Sequence, residues 1–146
     1  MNLADTNVLL RCTDASDPTY PVVWRAISTL ESNGDDFCFF PQNLYEFWVV
    51  ATRPKKVNGL GLSIVECEAR IATLKQLFMF LPDPPDLFDS WEQLVSRHLC
   101  HGKMAHDARL VAAMQLHGVG RILTFNVADF TRFPGIAVID PATVAP

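Results

Sequence analysis

"MNLADTNVLL" (residues 1–10) opens the chain and poses the problem on which its fold turns. Leu3, Ala4, Val8, Leu9 and Leu10 surround Asp5, and charges are seldom fully buried unless something pairs with them. The stretch reads as a short strand over residues 2–5 running at once into a short helix over 7–13. An acid at that junction ends a strand, and in open parallel sheets sites form beyond the carboxyl ends of strands. Asp5 either accepts hydrogen bonds from loop amides or belongs to such a site.

Working outward, short apolar strands alternate with helical stretches. "FCFF" (37–40), "RILTF" (121–125) and "IAVI" (136–139) read as strands buried on both faces, which need no polar alternation. Helices are expected over residues 17–34, with Asp17 as cap, Pro18 at the first position and Gly34 at the stop. Another spans 42–53, ended by Pro54. A third covers 62–81, where Ser63 and Glu66 form a capping box. Two more run over 86–100 and 104–118, the second closed by Gly118. "PDPPD" (82–86) is a turn-rich joint, too short to divide domains. The alternation predicts an α/β fold with a parallel sheet, built as one domain over residues 1–146.

Acids stand where acids are expensive. Glu46 is the only charge in "QNLYEFWVVAT" (42–52), a helix apolar nearly all round and therefore expected to be buried. Asp107 opens the apolar helix "ARLVAAM" (108–114), and Asp129 follows "RILTF" by four residues. Taken singly, Asp107 reads as a helix cap and Glu46 as the partner of a base such as Arg53. A single site explains all four acids together. Like charges at close range raise each other's pKa, and a divalent cation relieves that conflict. Oxygen-only ligands suit Mg²⁺ or Mn²⁺, and phosphodiester hydrolysis is chemistry that such sites support.

"LADTNVLL" (3–10), "NLYEFW" (43–48), "HDARLVAAM" (106–114) and "LTFNVADF" (123–130) resemble, in order and spacing, the signature segments of PIN-domain ribonucleases, above all the VapC-like toxins of toxin–antitoxin modules. The resemblance covers essentially the whole chain. It implies a Rossmann-like three-layer α/β/α sandwich and an endoribonuclease dependent on Mg²⁺ or Mn²⁺. Asp5, Glu46, Asp107 and Asp129 are then the expected metal ligands, with Thr6, Thr124 and Asn126 as supporting polar residues. Asn126 stands where many relatives carry an acid, which sets Asp129 in the ligand role and puts a second metal in doubt. Asn7 is expected to brace the loop. The reaction implied is in-line attack by an activated water on an RNA phosphate, leaving a 5′-phosphate and a 3′-hydroxyl. A small antitoxin and a second copy of the chain are the implied partners, the helix at 63–80 offering a face for the latter. The alternative is a catalytically weak or inactive PIN-like module that binds RNA or a protein partner, which Asn126 favours. A phosphohydrolase with an aspartyl nucleophile fits less well, because "DTN" (5–7) puts Asn7 where a second acid is usual.

The bulk composition agrees with a globular chain: 49% hydrophobic and 19% charged residues. Sixteen acids against twelve Lys and Arg give a net charge of −4, which runs against nucleic-acid binding by overall charge. Local cations must then serve, and Arg53 in "RPKK" (53–56), Lys103, Arg109 and Arg132 are the phosphate-contact candidates. Arg53 lies seven residues after Glu46 and is expected on the same helical face. No apolar run approaches the ~18 residues of a membrane span, and with no signal segment a cytoplasmic protein with reduced cysteines is expected. His98, Cys100, His101 and His106 crowd "RHLCHGKMAH" (97–106), but their spacing matches no zinc finger. "NGLGLS" (58–63) follows no strand and reads as a loop.

Overall fold

A computed structural model describes residues 1–146. In chain order the elements are β1 (Asn2–Ala4), α1 (Thr6–Cys12), α2 (Tyr20–Ser32), β2 (Phe37–Phe39), α3 (Pro41–Thr52), α4 (Ile64–Leu77), β3 (Met79–Phe80), α5 (Leu87–Arg97), α6 (Met104–His117), β4 (Arg121–Leu123), α7 (Val127–Thr131) and β5 (Ala137–Ile139). Single 3-10 turns lie at Lys55–Val57 and Pro141–Thr143. All strand pairs are parallel, in the order β3-β2-β1-β4-β5. From β1 the chain therefore winds outward through β2 and β3, then returns to lay β4 and β5 on the other side. The gap beyond β1 and β4 is the switch point at which ligands of such sheets bind.

Side chains alternate across each strand, and this divides the core into two. Leu3, Cys38 and Ile122 point to a layer with Leu87, Leu94 and the α6 stripe Ala108–Met114. Ala4, Phe37, Phe39 and Leu123 point to the other, with Val8, Ile27, Phe47 and Leu74. Helices α1–α4 cover one face and α5–α7 the other, giving the expected α/β/α sandwich.

Local chemistry sets the helix ends. The capping box is present: Ser63 Oγ accepts from Glu66 N (3.1 Å) and Glu66 Oε2 from Ser63 N (2.8 Å). Gly118 takes a left-handed conformation (φ 71°), and Val119 N donates back to Met114 O, a 6→1 closure that favours glycine. At α2, Asp17 instead caps a turn by accepting from Thr19 N and Oγ1, and the helix begins at Tyr20 with Pro21 in its first turn.

Three expectations are corrected. The helix predicted over 62–81 stops at Leu77, and Met79–Phe80 pair with β2 as an edge strand. Residues after "RILTF" are not all loop, since Val127–Thr131 form α7. Arg53 does not extend the Glu46 face: it is the C-cap of α3 in an extended conformation, and its guanidinium donates to Asn58 O. The loop beyond α3 packs so tightly on Arg53 that a Cβ on Gly59 would lie 1.8 Å from the Arg53 carbonyl oxygen.

Candidate active site

Asp5 follows β1 directly, and its backbone N–H still donates to Leu123 O on β4. The residue is the N-cap of α1. Its Oδ1 accepts from Thr6 N (2.8 Å), and its Oδ2 from Thr124 Oγ1 (2.6 Å) and Asn7 Nδ2 (3.0 Å). Asn7 Oδ1 also accepts from Phe125 N, so Asn7 braces the loop beyond β4 as well as the carboxylate. Burial pushes the Asp5 pKa up; the Thr124 and Thr6 hydrogen bonds oppose this, Glu46 adds to it and Lys103 lowers it.

Glu46 comes from the middle of α3. Thr6 Oγ1 donates to its Oε2 (2.8 Å), and Gln42 Nε2, one turn earlier, to its Oε1 (3.0 Å). Thr6 Oγ1 in turn accepts from Asn43 Nδ2, and Asn43 Oδ1 accepts from Phe40 N at the start of α3. Gln42 Nε2 also reaches His106 O, and Gln42 Oε1 accepts from Arg109 Nη1. Both carboxylate oxygens of Glu46 are thus aimed by neutral donors. Arg53 does not pair with it.

Asp107 lies in the first turn of α6, yet no cap bond is made there by any side chain. Its pKa is raised to about 6, by burial first, with Lys103 opposing the rise and Asp129, Asp5 and Glu46 adding to it. Of Asp5, Glu46 and Asp107, none is ion-paired with a lysine or arginine.

These three acids line one cavity of about 460 Å³, together with Thr6, Asn7, Asn126, Lys103 and His106. Thr124 is fully buried beneath it, bonded to Asp5. Asp129 is not in the cavity wall. The α7 turn carries it to the rim, where its half-exposed carboxylate lies 3.5 Å from Lys103 Nζ. Of the four cation candidates, only Lys103 lines this cavity. Arg109 is tied to Asp83 (2.8 Å) and lines a neighbouring pocket. Arg53 is held by its loop, and Arg132 is exposed beyond α7. The sequence alone does not mark Gln42 and Asn43; the available signal is the spacing of Gln42, four residues before the half-buried Glu46.

The carboxylates share a cavity without converging on a point: no three acids, histidines or cysteines stand in metal-holding geometry. Their chemistry nonetheless fits a hard divalent cation. The donors are all oxygen, neighbouring carboxylates help to raise the pKa values of Asp5 and Asp107, and Lys103 is too little to offset the burial of those two.

Fold and site together define a Rossmann-like α/β/α domain with carboxylates gathered at the switch point of its sheet. The chain has the PIN-domain fold of VapC-like toxins, as likeness to solved structures shows. A chain of VapBC2 from Rickettsia felis, bound to a promoter DNA fragment, superposes with a TM-score of 0.69 at 12% identity, over 94% of this chain and 96% of that one. A toxin–antitoxin complex from Klebsiella pneumoniae gives 0.66 at 23% identity, over 97% and 98%. VapC20 from Mycobacterium tuberculosis, a toxin that cleaves the sarcin–ricin loop, gives 0.59 at 18% identity, over 84% and 87%. No family model matches the sequence, and no curated protein does either.

Proposed function

We propose that this protein is an Mg²⁺- or Mn²⁺-dependent endoribonuclease and the toxin of a toxin–antitoxin pair. The observation that carries the reading is that Asp5, Glu46 and Asp107, from three separate elements, line one cavity with none of them ion-paired to a lysine or arginine. The solved neighbours include toxin–antitoxin complexes and a sarcin–ricin loop cleaving toxin, which supports the substrate class and an antitoxin partner. No helix is long and apolar enough to cross a membrane.

Asp5, Glu46 and Asp107 would hold the cation, with Asn126 offering a neutral oxygen from the cavity wall and Asp129 adding charge from the rim. When bound, the ion supplies charge neutralisation at the phosphate and a lower pKa for water. The chain's own residues do the rest. Thr6, Asn7 and Thr124 fix the orientation of Asp5, and Thr6 with Gln42 fixes Glu46. A carboxylate of the cluster takes the proton of the attacking water. The P–O3′ bond breaks as the new P–O bond forms, and the 3′-oxygen ends protonated. Lys103, at the mouth, is the cation placed to meet a phosphate.

Asn126 in the cavity wall is the observation that favours the second reading, a module that binds RNA or a protein without cutting. Purified protein incubated with unstructured and structured RNAs, with Mn²⁺ or with EDTA, separates the two. Cleavage with Mn²⁺ that is lost in EDTA and in Asp5→Asn is expected. Binding without cleavage selects the second reading, and cleavage that survives EDTA refutes the metal mechanism.

A further inference from the structure

Beside the acid cavity lies a second one of about 530 Å³, lined by Pro84, Pro85, Phe88, Trp91, Asp83 and Arg109 among others. His106 lines both, so the two are neighbours across one side chain. The second cavity has an apolar wall and a polar edge. Phe88 and Trp91 are inclined at 45° with ring centroids 5.7 Å apart. Trp91 is pinned by a 2.7 Å bond from Nε1 to Ala105 O, whereas Phe88 is 63% exposed. Arg109 and Asp83 pair at 2.8 Å, both about one-third exposed, and Arg109 is further held by Gln42.

That combination selects among ligands. A phosphate would meet the Asp83 carboxylate, so the pocket is poorly made for an anion. A flat neutral ring with donors and acceptors on its edge fits both parts: its face stacks on the aromatics and its edge meets a guanidinium and a carboxylate. Unpaired nucleobases have that chemistry, and RNA readers take splayed bases on aromatic and arginine planes. Gln42 links the pocket to the acid cavity, because it bonds Arg109 on one side and Glu46 on the other.

We propose that this second cavity is a nucleobase subsite, seating an unpaired base of the RNA strand whose backbone crosses the acid cavity, with Phe88 as its stacking surface. The subsite rests on the nuclease reading above, and the test separates the two. Cleavage of a short unstructured oligoribonucleotide with Mn²⁺ is followed for wild type, Phe88→Ala and Phe88→Trp, beside single abasic substitutions along the RNA. Phe88→Ala should raise KM about tenfold, the scale of one base–aromatic stack, with kcat little changed. Phe88→Trp should restore it. One abasic position near the cut should weaken wild type equally and add nothing in Phe88→Ala. Phe88 is exposed enough that both variants should melt with wild type. Normal KM in Phe88→Ala, with no abasic position felt, overturns the subsite, keeps the nuclease and leaves the pocket to a protein ligand. Failure of wild type to cut any RNA sinks the nuclease reading and the subsite with it.

Discussion

Thr6 holds three groups at once. Its N–H donates to Asp5, and its hydroxyl donates to Glu46 while accepting from Asn43. Partners of this kind orient the groups that bind a metal, and losing one typically costs about 10–100-fold in affinity or activity. Thr6→Val keeps the shape and deletes the hydroxyl, so it should lower kcat/KM for RNA and Mn²⁺ affinity by that factor. Thr6→Ser should recover most of both, as titration of Mn²⁺ against thermal stability would show. Asp5, Glu46 and Asp107 stood out in the sequence because a carboxylate among apolar neighbours demands an explanation, whereas Asp129, read the same way, lies outside the cavity wall. The amides did not stand out: Gln42 and Asn43 at the start of a helix look like ordinary surface polars, and only the fold reveals that both are buried. Arg53 was misplaced because helical periodicity was carried into the residue before Pro54, a position disfavoured for helix.

At the level of elements, α6 carries Asp107 with its pKa raised to about 6. The unfolded chain loses that proton near pH 4, so between those values the folded state binds more protons. Its stability contribution is therefore greatest below pH 4, falls between pH 4 and 6 and is flat above. In metal-free protein, wild type should lose Tm relative to Asp107→Asn between pH 4 and 6; a constant difference would contradict the sign. The loop after α3 supplies a second case. Gly59→Ala would drive a Cβ into the Arg53 backbone, and overpacking of this kind costs about 1–3 kcal/mol. Urea unfolding should show a lower midpoint with the same slope. Strands β1, β2, β4 and β5 were legible as apolar runs between turn signals. Strand β3 was not, because Met79 and Phe80 continue the apolar pattern of α4 and pair on one side only, and both remain nearly half exposed.

For the whole molecule, the net charge of −4 conceals an uneven distribution. The acid cavity concentrates unpaired carboxylates at the switch point, with Lys103 as its one lining lysine or arginine. Folding builds this repulsion, because the unfolded chain keeps residues 5, 46 and 107 far apart. A divalent cation that binds only the folded state should therefore stabilise the entire domain. At 100 times Kd the gain is about 2.7 kcal/mol, which for a chain of this size corresponds to a Tm rise of about 5–10 °C. EDTA should reverse the rise, and Asp5→Asn should blunt it without any RNA present. The effect should also weaken as pH falls through 6, since protons compete with the ion for Asp107. A Tm indifferent to millimolar Mn²⁺ at pH 7.5 would mean that the carboxylates do not act as one site.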